Sequence, residues 1–418
     1  MISKKILSSI LILCILISVG GCAKEQPNTS SVFSMETDSQ YWMHRLSAYS
    51  ATETDRGIYY LDNSSHLLRY IDKTSYLDTP LCPRPECSHV DSEGNALQNC
   101  NAFMSGMVPS VFYSKGALYA VTSDFFMEGT SSHTVYFLTQ ISLDGSQRKK
   151  IWEIEFDSDL ENPIISKVLL HRGRFYFCVA AEIDHQMVER LYCYSLKTRK
   201  RKEVAEFSIH TNGYSNLQEL FALGDYLYLS IFSSDEARIY LQYQISTGEW
   251  REFPEEYKRA FPFFEGIHFY CTKGVKDAML GNFWGITTDW SGESKEPWEF
   301  PNSVGVEYVS KEYICSIEPG KLYYNEKELT AEEIAHLSEE DLAYVVVEKD
   351  PTHDIFHADS HEKIGELPVF EKCTSIFWFS DDRLYCLNTL AQDTSLIGLF
   401  YSELNGDSLE WNRAERIQ

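Results

Sequence analysis

One pattern recurs seven times beyond about residue 41 and constrains the fold more than any other feature. A turn residue leads into a strand-like segment with paired aromatics, and a second strand follows that ends in a polar turn. The first halves read Gly57-Ile-Tyr-Tyr-Leu, Gly116-Ala-Leu-Tyr-Ala, Gly173-Arg-Phe-Tyr-Phe, Gly224-Asp-Tyr-Leu-Tyr-Leu, Gly266-Ile-His-Phe-Tyr, Lys311-Glu-Tyr-Ile-Cys and Asp382-Arg-Leu-Tyr-Cys. The second halves begin at Leu67, Val135, Arg190, Arg238, Asn282, Asp354 and Gly398. Starting points lie 42 to 71 residues apart, which is loose for a solenoid and ordinary for propeller blades carrying different loops.

Each unit parses into four antiparallel strands. Segments such as Ile376-Phe-Trp-Phe and Phe175-Tyr-Phe-Cys-Val-Ala are broadly apolar instead of alternating, as expected where both faces of a blade pack on neighbours. The expected fold is all-β: a seven-bladed β-propeller over 41–418, with six or eight blades as alternatives because the fifth and sixth units diverge most. A pair of sandwiches would show a break near the middle of the chain, and the repeat has none. Radial closure also removes the exposed edges that a linear array would leave. One insertion, about 320–343, interrupts the rhythm. Gly320 to Leu329 reads as a small hairpin, and Thr330 with Glu333 forms a capping box for a short helix whose Ile334, Leu337 and Leu342 would pack on the rim.

The amino terminus reads as an address. Lys4 and Lys5 precede an apolar run from Ile6 to Val19, and Val19-Gly20-Gly21-Cys22 follows. This resembles the lipobox of bacterial lipoproteins, which implies a signal peptide over 1–21, cleavage before Cys22, and lipidation of that cysteine. The apolar run is shorter than the ~20 residues of a bilayer span, whereas two or more acyl chains, palmitate among them, anchor a protein durably. Residues 22–40 are polar and turn-rich and read as a flexible tether. Losing the leader removes two lysines and no acidic residue, taking the formal charge from -25 to -27. Such an acidic chain is a poor partner for nucleic acid. With 44% hydrophobic and 14% aromatic residues, it can bury a large core.

The strongest local chemistry is Leu81-Cys82-Pro83-Arg84-Pro85-Glu86-Cys87-Ser88-His89, followed by Cys100, between the first and second units. Three thiolates and an imidazole suffice for a closed, structural zinc site, in which no coordination position remains for an activated water. The spacing is not a standard zinc one, and export permits a disulfide between two of the three cysteines instead. Disulfide, metal and free thiols are weighed in that order. Cys178 and Cys193 sit symmetrically about the loop near Asp184 to Gln186 and form a second candidate disulfide. Cys271, Cys315, Cys373 and Cys386 read as small buried hydrophobes.

His353, His357 and His361, with Asp354 and Asp359, invite a metal reading. On a strand, however, they spread over ~20 Å, so a solvated blade edge is the expectation. Asp289-Trp-Ser-Gly-Glu departs from the sialidase Asp-box and reads as a polar turn. Lys197 to Lys202 is a basic turn. The hydrolase elbow, the phosphate loop and the His-Glu-x-x-His signature do not occur, so no catalytic residue is assigned.

Together, the lipobox, tether, aromatic repeats and Cys-Pro-rich loop resemble propeller lipoproteins of Gram-positive anaerobes, related to the TolB-like and low-density-lipoprotein-receptor-like propellers. That resemblance implies an extracytoplasmic, membrane-anchored protein and carries no catalytic residues with it; in a strict anaerobe the metal alternative gains on the disulfide. The expected function is to bind, scaffold or sense an outside ligand with loops over one mouth of the channel. The alternatives are a surface enzyme acting on glycans or peptides in that channel, and a passive assembly partner.

Overall fold

The structure, a computed structural model, describes residues 30–417 apart from 31, 44–49, 92–95, 106–109, 129–130, 209–216, 233–237, 264–265, 274–276, 278, 281–282, 294, 299–304, 310–312, 318–320, 343, 348–352, 367–372, 381–382, 392 and 405–408. The leader and Cys22 lie outside the described residues. Seven antiparallel four-stranded sheets follow one another along 51–80, 112–154, 161–208, 217–252, 257–298, 305–366 and 373–413, each composed of sequence neighbours and numbered here as blades 1 to 7. The first strands of blades 1 to 4 lie side by side, as do those of blades 5 and 6; the first strand of blade 5 meets the third strand of blade 4, and the second strands of blades 1 and 7 touch, so the sheets stand radially about an axis as a seven-bladed propeller. Blade 3 shows how the sequence sets register. Arg172 and Gly173 hold φ of 50° and 73°, the left-handed pair that a two-residue hairpin turn demands. The apolar faces then meet as stacks, Phe175 on Phe177 at 5.6 Å and Phe177 on Tyr192 at 5.1 Å.

Because strands alternate in direction, every blade has two unlike ends. Turns joining first to second and third to fourth strands lie at one, the turn end. Loops joining second to third strands, and blade-to-blade connections, lie at the other, the loop end. The Cys/His segment, between blades 1 and 2, belongs to the loop end. So does the insertion, which branches from blade 6 between Tyr313–Ile317 and His353–His357. The insertion's helix Ala331–His336 starts at Thr330 with the expected capping box, and Ile334 and Leu342 are buried. Its hairpin gains an unexpected third strand, Val346–Val347.

The ring is fastened where its ends meet. The C-terminal Glu415–Arg416 adds a fifth, parallel strand to the outer edge of blade 1, with Arg416 opposite Asp78. Beneath it lies a buried charge network. Arg69 donates to Asp78 at 2.8 Å and to the Ile417 carbonyl at 2.7 Å, Tyr60 donates to Asp78 at 2.7 Å, and Arg416 reaches Asp62 at 2.5 Å.

The folded part begins earlier than expected. The tether reading extended to residue 40, yet Asp38, Ser39 and Gln40 are buried, and the turn Tyr41–Met43 after them is buried too. The Gln40 amide acts as a strand end: it accepts from the Glu53 N–H at 2.5 Å and from the Thr52 hydroxyl at 2.9 Å, and donates to the Glu53 carbonyl at 2.6 Å. Polar residues suit this position because the inner strands end there with backbone groups still to be paired. A polar stretch that reads as linker is therefore a satisfied cap.

Candidate metal centre and the two ends of the channel

Residues 34–43 enter the ring of blades at the turn end. Glu36 accepts through its carbonyl from Lys115 N–H at 2.9 Å and the Ser114 hydroxyl at 3.2 Å, in blade 2. Asp38 takes a bidentate pair from Arg172 of blade 3, at 2.6 and 3.1 Å, both side chains being nearly inaccessible. Ser39 donates its hydroxyl to the Ala222 carbonyl of blade 4 at 3.2 Å. The turn Tyr41–Met43 then packs among the inner strands of blades 1, 5 and 7. Trp42 lies 5.2 Å from the Phe33 ring and 5.0 Å from the Tyr41 ring. The segment is thus a plug, and a narrow residual space beside it is bounded by Asp38, Gln40, Thr52 and Tyr113.

His171 ties the plug down at its centre. Its Nδ1 accepts from the Ser39 N–H at 3.1 Å, which leaves Nε2 to donate to the Gly224 carbonyl at 2.7 Å. Burial drives its pKa down to about 4, so the ring is neutral at pH 7. His268 is pushed to about 4 by the same cause. Between about pH 6.5 and 4 the unfolded chain therefore binds protons that the folded chain refuses, and stability is lost as pH falls through that window. A shift of this size at one site corresponds to on the order of 3 kcal/mol. Urea unfolding followed from pH 7 to 4 is expected to show the loss. His171→Gln, whose amide can accept from Ser39 and donate to Gly224, should remove roughly half of it; an unchanged pH slope would contradict the assignment.

The second site is the Cys82, Cys87, His89 and Cys100 cluster, whose ligand atoms all lie within 4.8 Å of one another. The local sequence explains the convergence. Pro83 and Pro85 keep their predecessors extended, Cys87 N–H closes a turn on the Arg84 carbonyl at 3.2 Å, and His89 takes φ 62° to turn its ring back. Leu97 N–H bonds the His89 carbonyl at 2.9 Å, and Cys100 N–H then closes on Leu97 at 2.8 Å. Both ends of the segment are pinned on one residue, since Leu81 N–H donates to the Leu68 carbonyl and Leu68 N–H to Ala102, each at 2.8 Å.

Donors surround the sulfurs. Ala102 N–H points at Cys100 Sγ at 3.3 Å, and Arg84 Nη2 at Cys87 Sγ at 3.6 Å. At Cys82, burial is outweighed by bonds from the Arg84 and Asn101 backbone and the Arg84 side chain, and the thiol falls below its ordinary value. Burial pushes the Cys100 thiol up, and burial together with Arg69 and Arg84 lowers the His89 ring, keeping it neutral. Three thiols and an imidazole within this distance of one another could hold a metal ion.

The remaining expected sites separate. Cys178 lies opposite Leu191 and Cys193 opposite Tyr176, both as free thiols, so the candidate disulfide between Cys178 and Cys193 is corrected. The hairpin turns on two residues, Asp184 and His185, and the resulting register leaves Cys193 two residues away from the position opposite Cys178. His353 and His357 lie on the third strand of blade 6 and His361 in the turn after it, with Asp354 held by Lys363 at 2.9 Å; no metal-sized grouping includes them among the described residues.

No helix among the described residues is long and apolar enough to cross a membrane. No protein-family model matches the chain, and no curated protein does. Solved structures similar to it include oligogalacturonate lyase from Vibrio parahaemolyticus, at 8% identity over 92% of this chain and 92% of that one, with a TM-score of 0.43. TolB from Acinetobacter baumannii is similar at 11% identity over 87% and 78%, TM-score 0.36. The β-propeller domain of the Trilobed protease from Pyrococcus furiosus, described as having an open velcro topology, is similar at 12% identity over 71% and 79%, TM-score 0.40. At such identities no activity carries across.

Proposed function

We propose that this chain is a lipid-anchored extracytoplasmic propeller that turns its plugged end toward the membrane and captures a ligand, a glycan or peptide, with its loop end. The observation that carries this reading is the plug. Chain arriving from Cys22 reaches the propeller at the turn end, and residues 22–29 can span at most about 28 Å, so an acylated Cys22 would hold that end close to the bilayer. The loop end then faces outward, and the departures from a minimal blade gather there: the Cys/His segment, the insertion, and the long blade 2 hairpin Ala117–Glu128 with Ser131–Ser142. Phe125 is 65% exposed near that hairpin's tip, and Tyr344 is 68% exposed in the insertion. Exposed aromatics of this kind stack on sugar rings or apolar side chains. The plug closes the turn end, so a ligand is assigned to the loop surface.

Two measurements test the reading. Cys22→Ala is expected to move the protein from the membrane fraction to the soluble one. Titration with defined wall glycans and peptides should give binding that Phe125→Ser or Tyr344→Ser weakens at least about tenfold without shifting the melting temperature. Binding indifferent to both substitutions, or turnover that survives purification, would favour the enzyme alternative.

A further inference from the structure

We propose that Cys82, Cys87, His89 and Cys100 bind one zinc ion in a closed tetrahedral site, and that Arg148 and Arg84 supply the positive charge balancing it. Zinc bonds of about 2.3 Å to sulfur and about 2.05 Å to nitrogen fix the edges of such a tetrahedron at about 3.8 Å between sulfurs and about 3.6 Å between nitrogen and sulfur. His89 Nδ1 and Cys100 Sγ lie 3.5 Å apart, and no pair among the four ligand atoms exceeds 4.8 Å. Closing the grouping to a coordination shell requires side-chain shifts of no more than about 1 Å.

Charge separates the metal from a disulfide. On binding zinc the three thiols release three protons and His89 stays neutral, so three thiolates against one dication leave a single net negative charge. The surroundings are built for it. Arg148, from the fourth strand of blade 2, donates Nη1 to the Phe103 carbonyl at 2.5 Å, while its buried Nε and Nη2 reach no acceptor among the described residues. Burial lowers the pKa of that guanidinium, and the Cys100 and Cys82 sulfurs act in the opposite sense. Arg84 bonds Cys87 from the other side, and its buried Nε is likewise unpaired. A disulfide would leave these cationic groups against neutral sulfur, whereas an anionic zinc–thiolate centre gives them their counter-charge.

The function of such a centre is structural. All four positions are taken by protein, so no water is activated. What it holds is the connection between blades 1 and 2, a stretch of loop-end chain whose own small core consists of Leu67, Cys100 and Ala102 with Leu97 and Phe103 against them.

The full-length protein, purified in detergent without added metal, is expected to carry one zinc per chain, with three thiols that react only after a strong chelator is added. Cobalt replacing the zinc should give the visible bands of a tetrahedral thiolate complex. Absence of zinc, together with two thiols missing from the reduced count, would overturn the proposal in favour of a disulfide; free reaction of all three thiols before chelation would overturn it outright. Should Cys87→Ser fail to fold, the outer-sphere variants keep the question decidable. Arg148→Met should weaken cobalt binding about 10- to 100-fold, and Arg148→Lys should recover most of it. Equal affinity in all three proteins would refute the role given to Arg148.

Discussion

Replacing Trp42 by alanine is expected to destabilise the propeller by about 3–5 kcal/mol, the usual cost of emptying a buried aromatic site. The side chain is 7% exposed, sits in the axis, and shares an apolar cluster with Met43, Ile58, Tyr257 and Trp378, drawn from blades 1, 5 and 7. Its indole N–H also points at Glu53 at 3.4 Å. A cavity at that point removes contacts from several blades together, and the close-packed ring cannot collapse around it without moving inner strands. Urea unfolding measures the loss as a lower midpoint at constant slope. Val32→Ala, at a position 72% exposed just before the plug, supplies the comparison and should change little. A Trp42→Ala unfolding free energy within about 1 kcal/mol of the parent would mean that the plug is not part of the core.

The second large effect belongs to the seam. Asp78→Ala removes the carboxylate that takes Arg69 and Tyr60, and leaves a guanidinium with 2% side-chain exposure and no counter-charge. Breaking a buried pair in this way costs about 3–5 kcal/mol. Replacing both Arg69 and Asp78 with leucine removes the unpaired charge and should cost less than the single change, a result that a merely steric defect would not give. Because Arg69 also holds the Ile417 carbonyl and Ile417 N–H bonds the Asp78 carbonyl at 2.8 Å, the single variant should expose the last residues to carboxypeptidase. Equal or greater loss in the double variant would contradict this account of the seam.

The blades were readable because their signal is local and repeated. A turn residue, paired aromatics and a polar turn fix each hairpin, and all seven reappear at the expected places; the divergent fifth and sixth units, which left six or eight blades open, are complete blades. The insertion helix was readable for the same reason, since Thr330 and Glu333 are a cap in four residues. The Cys82 to Cys100 grouping was visible as composition, but only folding shows that Leu68 pins both ends of the segment, and only folding brings Arg148 from blade 2 to it. What stayed hidden rests on long-range pairing. Ser34 to Gln40 has the composition of a linker, and its polar groups find partners on strands more than a hundred residues away, such as His171 and Arg172. The closing strand is two residues long, and the buried charges Arg69, Asp62 and Asp78 look like surface residues. Register, which separates Cys178 from Cys193, depends on how many residues the turn holds.

Hydrogen exchange at the backbone of residues 34–43 in the full-length protein tests the plugged propeller most directly. Slow exchange is expected at the Asp38 and Met43 amides, which bond the Ser34 and Gln40 carbonyls at 2.8 and 3.0 Å, and at the Ser39 amide on His171. Protection should approach that of the inner strands and fall as pH drops toward 4. Exchange of this segment at the rate of an unstructured chain, alongside protected blades, would show an open channel and contradict both the plug and the orientation built on it.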